Sequence, residues 1–137
     1  MKTLLTSMIA VLLITATSIT YASNIDPESN KKIALKYHEL DPNDIDDILS
    51  EDFIGHWNEN TWNREDHRRT WSNNKAEDKI VFMVAENDVV AVKFIRMGES
   101  DGDSFSVDVM QFMQFKDGKI VEIWELFDMN QLESRGE

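Results

Sequence analysis

The segment that decides the fold is Phe115–Asp128, which reads FKDGKIVEIWELFD. At its centre, Asp117-Gly118 predicts a two-residue β-hairpin turn, because both central positions of a type I′ turn require a positive φ angle. The flanking residues are rich in β-branched and aromatic side chains, which are typical of strands. We therefore predict two long antiparallel strands, Ser104–Phe115 before the turn and Lys119–Asp128 after it.

The last predicted strand has apolar side chains on both faces. With a side-chain period of two, one face shows Ile120, Trp124 and Leu126, and the other shows Val121, Ile123 and Phe127. A strand that is buried on both faces needs a cover on each side. Helices supply one cover, and we predict that a second copy of the chain supplies the other, in a homodimer through the sheet. The alternative is an exposed amphipathic face, made less apolar by the charged side chains of Glu125 and Lys93.

Upstream of the hairpin, the chain continues to show the pattern of strands. Lys79–Ala85 and Val89–Met97 are rich in valine, isoleucine and phenylalanine, and Asn87-Asp88 predicts the turn between them. A shorter strand is expected at Asp52–Trp57. Hairpin connections make the sheet mostly antiparallel.

Helices are predicted in the N-terminal half of the chain. Asp26-Pro27 is a typical helix start, because aspartate caps free amides and proline suits the first helical position. A second, short helix is expected from Pro42, and Asn63 caps a third helix. Helices followed by hairpins indicate an α+β domain, in which a curved sheet wraps around about three helices and forms a cone with an open mouth.

Residues 1–22 are predicted to be a secretory signal peptide. Lys2 provides the positive start, Leu4–Ile19 is apolar, and Thr20–Ala22 has small residues suited to cleavage. A membrane anchor is the alternative, but the apolar stretch is shorter than the roughly 20 residues that a spanning helix needs. We therefore expect residues 23–137 to form one mature domain that is periplasmic or secreted and not bound to the membrane.

The charge and the composition exclude several classes of partner and cofactor. The formal net charge is −12, and it becomes −13 when Lys2 is removed with the signal peptide. Such a charge repels nucleic acids and anionic lipids, so neither is an expected partner. The chain has no cysteine, which rules out disulfides, thiol chemistry and cysteine-bound metal centres. Because it also has no glycine-rich phosphate loop and no H-E-x-x-H spacing, we expect no nucleotide cofactor and no metal.

Several segments resemble one protein family. Phe115–Asp128 resembles the closing hairpin of SnoaL-like proteins, and Asp52–His56 resembles their histidine-bearing strand. Leu35–Leu40 and Asn43–Leu49 are similar to their two opening helices. The resemblance implies the cone fold of the nuclear transport factor 2-like superfamily across residues 23–137. It does not specify a reaction, because that superfamily includes ketosteroid isomerases, polyketide cyclases, dehydratases, hydrolases and domains without catalysis.

The similarity to ketosteroid isomerases implies roles for individual residues. Tyr37 matches the tyrosine that donates a hydrogen bond to the substrate oxygen, and His56 stands where those enzymes have an aspartate base. Asp108 resembles their protonated aspartate, although Met110 rather than Asp108 lies at the corresponding depth in the strand. In SnoaL-like cyclases, an acidic side chain serves an intramolecular aldol closure without cofactor or metal. The candidates for that acid are Glu122, Asp108 and Asp128.

The chemistry of these residue types is compatible with the implied roles and leaves alternatives open. Histidine is the side-chain type that exchanges protons near neutral pH, so His56 can act as a base. A histidine at a strand end can also be purely structural. Asp108 and Glu122 are expected on the concave face, where carboxyls among apolar side chains stay protonated and donate hydrogen bonds. The alternative is that these carboxylates are solvated, or paired with Arg96 or Lys93.

The sequence therefore predicts an exported pocket protein for a small apolar or carbonyl-containing molecule. The expected reaction is proton abstraction next to a carbonyl, giving isomerisation or cyclisation. His56 is the predicted base, Tyr37 and Asp108 polarise the carbonyl, and Glu122 is a second acid. The expected ligand-binding wall consists of Trp71, Met110, Phe112, Trp124 and Asp128. The alternatives are a non-catalytic domain that binds a small apolar ligand, in which Tyr37 is a core residue, and a structural dimerisation module.

Overall fold

The structure of the chain, a computed structural model, describes residues 26–39, 41–73, 75–100 and 102–128. The predicted signal peptide, residues 1–22, lies outside these ranges. Among the described residues, no helix is long and apolar enough to cross a bilayer.

Three helices precede most of the sheet, as predicted. The helices are α1 (Pro27–His38), α2 (Ile45–Ile48), which follows a single 3-10 turn at Pro42–Asp44, and α3 (Arg64–Asn73). The predicted start of α1 is confirmed, since the Asp26 carboxylate accepts a hydrogen bond from the Glu28 amide at 3.1 Å. At the start of α3, the Asp66 amide donates to the Asn63 side chain at 2.9 Å, and the Asn63 amide donates to the Asp66 carboxylate at 3.2 Å. This reciprocal pair is a capping box, which fixes where α3 begins.

The strands form one six-stranded sheet in the order β2-β1-β6-β5-β4-β3. They are β1 (Leu49–Trp57), β2 (Asn60–Asn63), β3 (Glu77–Glu86), β4 (Val89–Ser100), β5 (Asp103–Lys116) and β6 (Lys119–Phe127). All neighbours are antiparallel except β1 and β6, which are parallel. The α+β cone predicted from the sequence is confirmed, with β2 as an additional short strand before α3.

The hairpin that decides the fold has the predicted geometry. Asp117 and Gly118 have φ angles of 52° and 75°, and β5 and β6 pair on either side of them. The two faces predicted for β6 are wrong in one respect. A shift of register pairs Phe115 with Ile120 but Gln114 with Glu122, so one residue of β6 is extra at this point. The bulge puts Ile120 on the same buried face as Ile123, and not with Trp124.

The hydrophobic core lies between the helices and one face of the sheet, which we call the inner face. It contains Ala34 and Tyr37 of α1, Ile45 and Ile48 of α2, Trp71 of α3, and the strand residues Leu49, Phe53, Val90, Val92, Phe94, Val107, Val109, Met113, Phe115, Ile120 and Ile123. The opposite, outer face of the sheet has no helix of the described chain packed against it. The two faces therefore offer different environments for the predicted site residues.

Candidate active site

The predicted site residues are divided between the two faces of the sheet. In β5, Val107, Val109 and Gln111 are buried on the inner face, so the alternating residues Asp108, Met110 and Phe112 point outward. The same alternation places His56 of β1 and Glu122 and Trp124 of β6 on the outer face. Of the predicted residues, only Tyr37 and Trp71 lie in the core, and Asp128 is exposed just after β6. The expectation that the imidazole, the phenol and the carboxyls meet on the concave face is therefore wrong.

The outward residues form a separate cluster around His56. His56 Nε2 and Glu122 Oε1 are 2.7 Å apart, and the imidazole stacks on Trp124 with ring centroids 5.6 Å apart. Both partners of the pair keep about a third of their side-chain surface exposed, 32% for His56 and 35% for Glu122. Asp108 lies 3.8 Å from Lys93, which was one of the two basic partners considered from the sequence. The catalytic roles assigned to these residues stay predictions, but the residues do not adjoin Tyr37.

The inner face carries a buried ionic network of residues from β3, β4 and β6, which reaches across the intervening strand β5. Arg96 of β4 donates from Nε and Nη2 to the two carboxylate oxygens of Asp78 on β3, at 2.8 and 2.9 Å. Its Nη1 donates to Glu125 Oε1 on β6 at 2.7 Å. The Asp78 side chain is fully buried and that of Glu125 is almost so. A bidentate fork of this kind fixes both the position and the orientation of the carboxylate.

Two more side chains extend this network. The Gln111 amide donates to Glu125 Oε2 at 2.8 Å, and His38 Nδ1 lies 3.0 Å from Asp78 Oδ2. Burial on its own raises the pKa of Asp78, but the hydrogen bonds from His38 and Arg96, with the positive charge of Arg96, hold that pKa below its usual value. Asp78 is therefore an ionised carboxylate that accepts hydrogen bonds from both partners.

The phenol of Tyr37 meets a second buried histidine. Tyr37 Oη and His67 Nε2 are 2.5 Å apart, in the core between α1 and α3. Burial, together with the positive charge of Arg96, lowers the pKa of His67 to about 4, so its imidazole is neutral at pH 7. Burial and the negative charge of Glu125 raise the pKa of Tyr37 well above its usual value, so the phenol keeps its proton.

These protonation states determine which tautomer His67 adopts. Because the phenol keeps its proton and its oxygen lies 2.5 Å from His67 Nε2, we assign the phenol as the donor and Nε2 as the acceptor. The hydrogen of the neutral ring is then on Nδ1. His67 Nδ1 is buried and has no hydrogen-bond partner in the described part of the chain. It is therefore a buried N–H donor that no atom of the described residues accepts from.

Aromatic rings surround His67. Its imidazole lies within 5.2 to 5.7 Å of the rings of Phe53, Tyr37, Trp62 and Trp71. Trp57 extends this wall, with its ring centroid 4.5 Å from that of Trp62. The Trp57 indole nitrogen is likewise buried without a partner among the described residues. The wall offers apolar surface with two N–H donors in it.

Three of the five unpartnered buried polar atoms among the described residues belong to side chains that interact with Tyr37. In the described ranges they are His38 Nε2, His67 Nδ1, Gln111 Oε1, Trp57 Nε1 and Ser50 Oγ. His38 and His67 both have their rings against Tyr37, at 5.4 and 5.7 Å, and the Gln111 amide influences the pKa of the Tyr37 hydroxyl. Each such atom costs about 1–3 kcal/mol if it stays unbonded, so a group of them marks a place for polar ligand atoms or water.

The sequence contained a partial signal for this inner cluster. Arg96 follows Val90, Val92 and Phe94 at intervals of two residues, so it belongs to the apolar face of its strand. A charge on an otherwise apolar face needs a buried partner. His67 similarly precedes Trp71 by one helical turn. The sequence thus shows that Arg96 and His67 belong to apolar faces. It does not show that Asp78 and Glu125 are the partners of Arg96, or that Tyr37 is the partner of His67.

The described residues contain no group of three or more histidine, aspartate or glutamate side chains arranged to hold a metal ion. The ionic network is not such a group, because the Arg96 guanidinium occupies the position between the two carboxylates.

Comparison with known proteins gives a family match and a common fold. A family model described as a SnoaL-like domain matches residues 34–123. Among solved structures, a protein from Jannaschia sp. CCS1, provisionally named a SnoaL-like polyketide cyclase, has a TM-score of 0.72 at 14% identity, over 80% of this chain and 92% of that one. A provisionally named hydroxylase, AclR from Streptomyces galilaeus, has a TM-score of 0.67 at 21% identity. The match covers 80% of this chain and 96% of that one.

An epoxide hydrolase is also similar in fold. This LEH-like enzyme from M. tuberculosis has a TM-score of 0.69 at 13% identity, over 79% of this chain and 89% of that one. No curated protein matches the chain. At identities this low, structural similarity shows a common fold and not a common activity. The chemistry therefore has to be inferred from the residues of the site itself.

Proposed function

Because this chain belongs to the SnoaL-like domain family, we propose that it is a small-molecule enzyme that acts next to a carbonyl group by acid–base chemistry. The proposed reaction is an isomerisation or a cyclisation, without a cofactor. The proposed site is the inner cluster around Tyr37 and His67. The name of a structural neighbour, a polyketide cyclase, is consistent with a carbonyl substrate.

The observation that carries the proposal is the buried hydrogen bond between Tyr37 and His67. It holds a neutral imidazole with its Nδ1–H unoccupied by the described chain. A donor fixed in a water-poor site stabilises the negative charge that develops on a carbonyl oxygen when a neighbouring carbon loses its proton. A neutral imidazole suits this role, because it donates without transferring its proton outright.

The aromatic wall supports a planar apolar substrate. Phe53, Trp62 and Trp71 present ring surface around His67, and aromatic rings pack favourably against one another at these distances. A bicyclic aromatic ketone has this shape and bears one carbonyl oxygen for the Nδ1–H. Such ketones are therefore the appropriate first probes.

We expect His67→Gln to slow the reaction by about 100-fold, the usual cost of removing one donor to an oxyanion. The glutamine amide oxygen accepts the Tyr37 hydrogen bond in the place of Nε2, but the Nδ1 donor is lost. The measurement is exchange of α-hydrogen for deuterium in 1-tetralone, 2-tetralone and 1-indanone, followed by NMR in D2O. Exchange detects proton abstraction whatever product the natural substrate gives.

His56→Gln is the matched comparison for that experiment. Since His56 lies on the outer face, we expect its replacement to leave the exchange rate unchanged within error. A large loss in His56→Gln together with an unaffected His67→Gln would restore the base assigned from the sequence. Wild-type protein that binds a ketone, seen by tryptophan fluorescence, but never exchanges it would support the non-catalytic binding domain instead.

We also propose that the outer face is covered by a second copy of the chain. Its exposed apolar side chains lie on three adjacent strands, which we call the outer patch: Ile54, Met110, Phe112, Trp124 and Leu126, each 37% to 55% exposed. Contiguous apolar surface of this kind is rare on a monomer and typical of an interface. The His56–Glu122 pair lies inside the outer patch, where it would add a polar contact.

We expect Phe112→Lys to convert a wild-type dimer into a monomer, because it places a charge on the apolar patch of both copies. Native mass spectrometry and light scattering measure the change. Leu35→Lys is the matched control, since Leu35 is also exposed, at 48%, but lies on α1. A wild-type protein that is already monomeric, or a Phe112→Lys dimer as stable as wild type, would contradict the proposal.

Export remains a proposal as well. It rests on the pattern of residues 1–22, in which a positive start, an apolar stretch and small residues follow one another. The proposed destination is the periplasm or the exterior of the cell.

A further inference from the structure

A second buried histidine, His38, forms a carboxylate–imidazole pair with Asp78, and the proposed function assigns no role to this pair. His38 Nδ1 lies 3.0 Å from Asp78 Oδ2, and both side chains are almost entirely buried, 3% and 0% exposed. His38 is the last residue of α1 and directly follows Tyr37. The pair therefore lies beside the proposed site, with the His38 ring 5.4 Å from that of Tyr37.

Asp78 is held so that it orients the imidazole. Arg96 occupies both of its carboxylate oxygens and keeps it ionised, and the fork prevents the carboxylate from rotating. An ionised carboxylate only accepts hydrogen bonds, so His38 donates to it from Nδ1–H. In a neutral ring bonded in this way, the lone pair is on Nε2, which is the arrangement of a histidine base oriented by an aspartate.

The free nitrogen of His38 lies in the interior next to Tyr37. His38 Nε2 is buried and has no hydrogen-bond partner in the described part of the chain. The ring packs edge-on against Tyr37, at 5.4 Å, and against Phe94, at 4.6 Å. Tyr37 in turn bonds His67, whose Nδ1 is also unpartnered. Tyr37 is thus in ring contact with two histidines, each of which has one buried ring nitrogen without a partner among the described residues.

We propose that His38 is the general base of the reaction and Asp78 its positioning residue, an inference that rests on the proposed carbonyl chemistry. His38 Nε2 takes the proton from the carbon next to the carbonyl. The C–H electron pair becomes the carbon–carbon double bond of an enolate, and the carbonyl π pair moves to the oxygen. His67 Nδ1–H stabilises that oxygen by a hydrogen bond. Delivery of the proton from His38 to a different carbon, one conjugated with the enolate, completes an isomerisation. If a solvent proton first replaces the one held on His38, its return to the original carbon gives exchange.

The discriminating variant is His38→Asn. The asparagine amide nitrogen takes the place of Nδ1 and keeps the hydrogen bond to Asp78, while the basic Nε2 is removed. We expect deuterium exchange into 2-tetralone to fall by at least about 100-fold, the lower range for loss of a general base. Binding of 2-tetralone, measured by tryptophan fluorescence, and the thermal midpoint are expected to stay close to wild type.

Two results would overturn the assignment of His38. Exchange in folded His38→Asn at the wild-type rate shows that the ring is structural. If His38→Asn does not fold by circular dichroism, His38→Gln takes its place, and exchange at the wild-type rate in that variant is equally decisive. Absence of exchange in the wild type is a different result, because it removes the proposed function and this base together.

Asp78→Asn tests the positioning role. The amide has no charge and can present its NH2 group to Nδ1, which permits the tautomer with the hydrogen on Nε2. We expect kcat for exchange of 2-tetralone to fall while KM stays near the wild-type value. A purely structural Asp78 predicts loss of folded protein with unchanged kcat per folded molecule, which would remove Asp78 from the mechanism.

Discussion

Replacement of Arg96 by methionine is expected to lower the free energy of unfolding by about 3–5 kcal/mol, the usual cost of removing one partner of a buried ion pair. Arg96 holds Asp78 and Glu125 with three hydrogen bonds of 2.7 to 2.9 Å. Methionine has similar length but no charge, so it leaves two carboxylates buried with no counter-ion between them. Equilibrium unfolding in urea, followed by tryptophan fluorescence and circular dichroism, measures the loss.

Arg69→Met is the matched control for this measurement. Arg69 also bonds a carboxylate, Asp66, at 2.8 Å, but its side chain is 72% exposed. Exposed ion pairs contribute about 0–1 kcal/mol, so we expect little change. Arg96→Lys should fall between the two variants, because it keeps the charge and loses the fork. Equal stabilities for Arg96→Met and Arg69→Met would show that the inner network contributes nothing to the fold.

Acidification is expected to destabilise the protein through His67, by about 3 kcal/mol between pH 6.5 and pH 4. The pKa of His67 is about 4 in the folded protein and near 6.5 in an unfolded chain. Between these values the unfolded chain binds more protons, so stability falls as the pH is lowered. The contribution is fully present above pH 6.5 and is lost as the pH approaches 4.

The measurement is the free energy of unfolding against pH for wild type and His67→Gln. Asp78, whose pKa is held below its usual value in the folded protein, also contributes to the loss of stability as the pH approaches 4, but it is common to both proteins and cancels in the difference. We expect the two curves to converge as the pH falls, because only the wild type loses the His67 contribution. Parallel curves for wild type and His67→Gln would contradict a neutral buried imidazole.

Much of the inner site consists of residues whose positions the sequence shows but whose partners it does not. The Tyr37–His67 bond joins residues 30 positions apart, and the Arg96–Glu125 bond joins residues 29 apart. No local pattern connects such pairs, because their distance depends on which strands are neighbours and on the register between them. Tyr37 itself was identified through family resemblance, and the role that the resemblance implies for it stays a prediction.

The error in the predicted site has a specific physical cause. Alternation along β5 separates its residues into two sets, Val107, Val109 and Met113 in one, and Asp108, Met110 and Phe112 in the other. Both sets contain large apolar side chains, so hydrophobicity does not show which one faces the helices. The second set was assigned to the concave face because Asp108 resembles the protonated aspartate of ketosteroid isomerases. In the structure it is exposed, and the inner face obtains its carboxyls from β3 and β6.

The sequence by itself determined the local elements of this protein: the hairpin at Asp117-Gly118, the starts of α1 and α3, and the succession of helices and strands. These features depend on backbone angles and hydrogen bonds between residues near one another in the chain, so residue type is sufficient to specify them. Only the tertiary structure decided which side of the sheet is the interior and which charges are buried together there. That choice follows from strand order, from the bulge in β6 and from packing against α1 and α3, and these arise from contacts between distant residues.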